Sequence, residues 1–211
     1  MSTTIIDIFS RYVLPGRELP LHHQPASNAS RVPALEPGGK LFDLFHRVYT
    51  LHYDSKREHL LKAITISQAV QIWHELDTWD SDEKEEEEGR SSEIQTSYQL
   101  YKHALFLWTY LIVNPDDISG WKVQNAVRTI LAGAGEVVAE VELGLLAIIP
   151  LFFCGVAAVL SEDREAVEGN FEHLMAIIGE DRVKYPYNTV QRSWSSLDGG
   201  FRSSWDWMKH N

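Results

Sequence analysis

A single cysteine, Cys154, stands in 211 residues. One thiol cannot close an internal disulfide or build a cysteine-rich zinc site, so the chain fits a reducing compartment. Basic residues are also scarce: 19 Lys and Arg face 30 Asp and Glu, a formal net charge of −11. Sequence-independent nucleic-acid binding draws its affinity from Lys and Arg neutralising phosphates, so direct binding to nucleic acid is not expected. Met1–Ser10 lacks the basic start and long apolar region of a signal peptide, which predicts an intracellular location, cytoplasm or nucleus. No alternating strand pattern of useful length occurs, and the fold is expected to be all-α.

What is present is apolar and aromatic. Leu143 to Leu160 reads LGLLAIIPLFFCGVAAVL, eighteen residues without a charge. A helix hydrophobic all round is buried all round, in protein or in lipid. Glu142 precedes the run, Glu162, Asp163 and Glu165 follow it, and no Lys/Arg cluster flanks it to set a membrane orientation. Pro150 removes a backbone donor at mid-run and predicts a kink. We read the run as the central buried helix of a single-domain antiparallel helical bundle with no membrane span.

The chain divides at residue 39. Thr3 to Val13 has the spacing of a short amphipathic helix, with Ile5, Phe9 and Tyr12/Val13 on one side. Leu14 to Gly39 holds five of the eight prolines and predicts a long irregular connection. Residues 40–211 form the expected helical domain. Leu41, Leu44/Phe45, Val48 and Leu51 make its first stripe. Ser55 and Glu58 match a capping box opening a second helix, whose face is read as Ile66, Val70, Trp73 and Leu76 and whose end lies near Trp79. Asp82 to Glu88 (DEKEEEE) is a solvated charge run. Glu93 to Val113 steps through Ile94, Tyr98, Tyr101, Leu105, Trp108 and Ile112; after Asn114-Pro115-Asp116 the pattern resumes with Val123, Val127, Ile130, Ala134 and Val137. Beyond the central helix, Ser161 is read as an N-cap, with Val167, Phe171, Leu174 and Ile177/Ile178 as the buried face and Gly179 as the stop. Tyr187, Val190, Trp194 and Leu197 predict a last helix before Gly199-Gly200.

Nine histidines prompt a search for reactive groups. Asp43 and His46 sit one turn apart, and His74-Glu75 lies in WHELDTWD, but neither matches H-E-x-x-H and no third ligand stands at a diagnostic spacing, so no metal is expected. Gly133-Ala134-Gly135 lacks the strand and Lys-Ser/Thr ending of a phosphate loop, and no G-x-S-x-G elbow exists. His22-His23 falls in the proline-rich segment, and Cys154, among apolar neighbours, reads as an inert buried thiol. Seven tryptophans are many for this length, and large aromatics either fill the core or line an apolar cavity.

Several of these stretches, taken in order, carry a likeness. YQLYKHALFLWTYLI, IIPLFFCGVAAVLSEDREAV, YPYNTVQRSW and SSWDWM together resemble the C-terminal regulatory domain of fungal binuclear-zinc-cluster transcription factors over roughly residues 60 to 208. The positions that carry the resemblance are Pro150, Leu151, Phe152, Gly155, Glu162, Arg164, Trp194, Asp206 and Trp207. It implies an all-helical domain that senses small molecules or contacts coregulators, and, in a sterol-responsive branch, an apolar pocket for a sterol-like ligand. Family members also carry a six-cysteine zinc cluster. With one cysteine this polypeptide cannot form it, so an excised regulatory domain or a stand-alone relative is expected.

Two functional readings follow. In the first, a hydrophobic small molecule binds without any cofactor among Trp73, Tyr101, Trp108, Phe152, Phe153 and Trp194, and binding alters contacts with a coregulator or a second copy. In the second, a cofactor-free cyclase or isomerase of fungal secondary metabolism uses the same apolar pocket, with His103, His173, Glu142 and Tyr101 as its acids and bases. A pure interaction module would instead expose a large apolar patch and enclose no cavity.

Overall fold

In a computed structural model, which describes residues 9, 39–56, 62–82, 92–139 and 141–200, seven α-helices pack in an all-α domain. They are α1 (Lys40–Lys56), α2 (Lys62–Asp82), α3 (Ser92–Val113), α4 (Trp121–Ala139), α5 (Val141–Ala157), α6 (Ser161–Ile178) and α7 (Glu180–Asp198). The N-terminal helix and proline-rich connection lie outside the described residues apart from Phe9 and Gly39, as do the run after Asp82 and the tail beyond Gly200.

Helix α5 holds the centre because its sequence leaves no polar side to turn outward. Ala147 to Ala158 is buried without interruption, and Pro150 sits inside the helix rather than ending it. Helices α3, α4 and α5 pack against one another most closely; α6 and α7 cover one side of α5, while α1 and α2 lie against α3. No helix among the described residues is long and apolar enough to cross a membrane.

Two buried stripes make α3 a second axis. Tyr98, Tyr101, Leu105 and Trp108 form the stripe read from the sequence; Leu100, Ala104, Leu107 and Leu111 form another. Trp108 ties three helices together. Its ring stacks on Phe153 of α5 with centroids 4.5 Å apart, and meets Phe45 of α1 edge-on at 5.4 Å. Its indole N–H donates to Nδ1 of His52 at 2.7 Å. Phe9, from outside the helical domain, packs edge-on against Phe152 at 5.2 Å. Truncating a fully buried aromatic of this kind to alanine costs about 3–5 kcal/mol.

Three local expectations are corrected. Ser55 does not open α2: α1 runs on through Lys56, and the Ser55 hydroxyl donates back to the His52 carbonyl at 2.8 Å, as serines inside a last turn do. The buried face of α2 is Thr65, Ala69, Ile72, Leu76 and Trp79, while Ile66 and Val70 are 38% and 51% exposed. The helix carries apolar residues on two stripes, and α1 and α3 cover only one of them. Ser161 is the first helical residue of α6, not its cap. Leu160 takes the cap position with extended backbone and no side-chain bond, and the first turn closes through the Arg164 N–H to the Leu160 carbonyl at 3.0 Å. Glu162 and Asp163 place negative charge beside the free N–H groups of that turn.

Gly179 does stop α6. Its φ of +96° is a conformation side chains disfavour, and its N–H bonds to the Met175 carbonyl at 3.1 Å before α7 begins one residue later.

Candidate functional site

Three helices leave a groove of about 350 Å³ between them. Helix α2 contributes Trp73, Leu76 and Asp77, and α3 contributes Lys102, His103 and Phe106. Helix α4 adds Trp121, Lys122, Asn125 and Ala126 at its first turns. The periodicity explains the convergence. Helix α3 buries its two stripes towards α1, α4 and α5, which turns Lys102, His103 and Phe106 to its remaining, half-buried side. Helix α2 packs on α3 through Leu76 and leaves Trp73 at the border of the contact.

The groove continues into an aromatic cluster. Trp73 lies 6.0 Å from Tyr110 and 6.4 Å from Phe106, and the last two rings stack at 5.6 Å. The ammonium of Lys122 sits over the Tyr110 face at 5.9 Å from its centroid, a cation–π distance. The Tyr110 hydroxyl donates to Oδ2 of Asp117 at 2.6 Å; that bond foremost raises its pKa above the ordinary phenol value. Trp121, at the mouth, is 75% exposed. The indole N–H of Trp73 is buried and has no hydrogen-bond partner among the described residues. The groove is therefore lined by flat apolar surface and by several N–H donors, with one carboxylate.

The residues singled out from the sequence fall into separate places. Trp73 and His103 line the groove. Tyr101, Trp108, Phe152 and Phe153 are brought together in the sense that all are at most 1% exposed in the core beside α5. Burial pushes the Tyr101 phenol far above its ordinary pKa, and its hydroxyl has no hydrogen-bond partner among the described residues. His173 is on the exposed side of α6, and Glu142 stands in the first turn of α5. His103, His173 and Tyr101 thus stand on a groove wall, an exposed helix face and the core, respectively.

Asp43 and His46 line a second hollow of about 430 Å³ between α1 and α2, next to Arg47, which pairs with Glu75 of α2 at 2.5 Å. Among the described residues no group of three or more His, Cys, Asp or Glu stands close enough to hold a metal ion. Cys154 is fully buried, and burial, with Asp163 nearby, raises its pKa well above the usual thiol range. Its sulfur lies 3.6 Å from the Val127 carbonyl, so the thiol is held as a neutral core residue.

A further constellation joins α5, α6 and α7. The Trp194 indole N–H donates to the Gly155 carbonyl at 2.7 Å. The Arg164 guanidinium lies over the Trp194 ring at 5.4 Å, grips both carboxylate oxygens of Asp198 at 3.0 and 2.9 Å, and donates through Nε to the Ala158 carbonyl at 3.2 Å. One arginine thus satisfies a carbonyl freed at the end of α5 and fixes α7 beside it.

The model of the fungal specific transcription factor domain matches residues 37–210. The chain belongs to that family. Comparison with curated proteins and with solved structures found no match. In this fungal transcription-factor domain, the sequence features that carried the resemblance now have physical roles: Pro150, Leu151 and Phe152 are core positions of α5, while Gly155, Arg164 and Trp194 form the joint between three helices. Asp206 and Trp207 lie outside the described residues. Membership supports a regulatory role.

Sequence reasoning missed most of the groove. Phe106 stood between two apolar stripes and belonged to neither. Trp121 and Lys122 follow a turn at Ser119-Gly120 and precede the periodic run that begins at Val123, and Asn125 falls between its apolar positions, so nothing in the pattern set them apart.

Proposed function

We propose that this fungal transcription-factor domain is a small-molecule-sensing regulatory module, acting in the cytoplasm or nucleus, whose hydrophobic ligand occupies the groove between α2, α3 and α4. The observation that carries the reading is the groove itself. Its size falls within the range of small-ligand sites, and its walls come from three different helices. A ligand touching all three favours one arrangement of them over others, which is what coupling binding to an output requires. Helix α2 offers the output. One end of it forms the groove through Trp73, Leu76 and Asp77, and earlier turns expose Ile66 and Val70. A coregulator or a second copy of the chain touching that stripe would sense any shift of α2. The packed aromatics Tyr101, Trp108, Phe152 and Phe153 serve here as the rigid backing, and Trp194 as the brace of α7. Contact with nucleic acid is assigned to another module, because the single buried Cys154 leaves no ligands for a six-cysteine cluster.

The test is denaturing mass spectrometry of natively purified protein, with thermal shifts against a panel of sterols and other hydrophobic metabolites. A co-purified small molecule, or a shift abolished by substituting Trp73→Ala, supports the reading. No bound molecule and no shift across the panel would remove it.

A further inference from the structure

We infer that the exposed stripe of α2 is a homodimer interface, in which two copies of the chain pair α2 against α2, antiparallel. The inference names the partner of the stripe through which the proposed regulatory output is read; it rests on that stripe and not on the groove's ligand. Helix α2 rests on α1 and α3 and turns its other side outward. Ala63, Ile66, Val70 and Asp77 follow one another along that side at helical spacing, and all are exposed, Ile66 at 38% and Val70 at 51%. No Asp, Glu, Lys or Arg occurs between Lys62 and Glu75, in a chain that is 23% charged. Charge lost from the middle of an exposed face and kept at its rim distinguishes the centre of a protein interface from ordinary surface.

The charges at the rim select a second copy and its direction. Lys62 at one end of the stripe and Asp77 at the other are exposed, and neither has an ion-pair partner among the described residues. They stand about 22 Å apart along the helix at 1.5 Å per residue. With Val70 on a two-fold axis, antiparallel copies set Ile66 of each across from the Trp73–His74 turn of the other. Lys62 of each then falls within one residue of Asp77 of the other. A patch that is its own complement is what a two-fold dimer requires. The parallel arrangement would oppose Lys62 to Lys62 and Asp77 to Asp77, and would align the two helix dipoles. The net charge of −11 works against association at a distance, but it is screened beyond about 8 Å at physiological salt. The first acidic residue met along α2 is Glu75, whose carboxylate Arg47 already holds. One pair of helices comes near the roughly 1,000 Å² that a specific interface needs, and Trp121, 75% exposed beside Trp73 at the groove mouth, adds to it. The dimer is therefore weak, with a micromolar Kd.

The experiment is analytical ultracentrifugation of the full chain in about 0.15 M salt, over about 1 to 100 µM. A concentration-dependent monomer–dimer equilibrium is expected. Val70→Lys brings like charges together on the axis and should weaken it by about tenfold or more, with unchanged circular dichroism. Lys62→Glu and Asp77→Lys should each weaken it roughly fivefold. Mixing these two variants, or combining both changes in one chain, should restore the parent's affinity, because opposite charges then meet again. Val70→Cys should give a disulfide-linked dimer under mild oxidation, since the native Cys154 is buried, whereas Ile64→Cys, exposed on a different side of α2, should not. A monomer at every concentration overturns the inference and leaves the stripe to a different protein. A dimer indifferent to Val70→Lys overturns its placement on α2, and charge reversals that weaken without rescue overturn the antiparallel pairing. The ligand reading is judged separately by the metabolite panel. A monomer that binds a metabolite removes this inference alone, and a dimer that binds none removes only the ligand reading.

Discussion

Trp194 reaches the carbonyl of Gly155 because nothing stands on the glycine's α-carbon. A β-carbon there would fall 2.7 Å from Cγ1 of Val190 and 3.1 Å from Cγ1 of Val167, closer than packed carbons tolerate. The glycine thus sets the distance at which α6 and α7 lie on α5, and the 2.7 Å indole bond depends on that distance.

Replacing Gly155 with alanine therefore sets two effects against each other. Alanine in a helix interior gains about 1 kcal/mol over glycine, whereas overpacking a filled interface costs about 1–3 kcal/mol. The expected outcome of Gly155→Ala is a net loss of up to about 2 kcal/mol, which lowers the melting temperature by about 2–4 °C per kcal/mol in a chain of this size. Gly135, inside α4 with no atom within 4 Å of an added β-carbon, is the control. Gly135→Ala should stabilise the fold by about 0.5–1 kcal/mol. Thermal denaturation of the two variants side by side checks the pair; equal gains would mean that the three-helix joint is not tight.

His52 and Trp108 form a close polar contact inside the core. Nδ1 of His52 accepts from the indole, which leaves the ring's own proton on Nε2. Substituting His52→Leu strands the buried indole N–H, at a cost of about 1–3 kcal/mol. The clean measurement is a double-mutant cycle with Trp108→Phe, read by urea denaturation. A coupling of about 1 kcal/mol or more is expected for a buried bond of this kind. Strict additivity would show that the bond adds nothing beyond packing.

The architecture was legible because most helices carry one unambiguous signal. Val123, Val127, Ile130, Ala134 and Val137 could face only inward, and every one of them is buried. The uncharged run of α5 could only be central. What was not legible depended on neighbours. Helix α3 hides two stripes because α4 and α5 meet it on different sides, and sequence spacing reports the stripes but not which neighbour covers each. The groove was least visible of all, since its walls come from positions between stripes, such as Phe106, and from a helix start, such as Trp121. Such residues are defined by what three helices fail to fill, a property no single segment encodes.

Helix α2 turns that ambiguity into a measurement. Ile66, Val70 and Trp73 follow the same three-and-four spacing as Ala69, Ile72, Leu76 and Trp79, and the two sets differ only in which one α3 and α1 cover. Ile72 is 2% exposed, so Ile72→Ala should cost about 2–5 kcal/mol through the cavity it leaves. Val70→Lys should leave stability within about 0.5 kcal/mol, because its side chain already faces water. Chemical denaturation of both variants separates the two faces. The lysine variant then has a second use. If a coregulator or a second copy rests on the Ile66–Val70 stripe, the added charge should weaken that association at unchanged melting temperature, whereas ligand binding in the groove, one turn away at Trp73, should persist. Loss of both together would mean that the stripe and the groove respond as one unit.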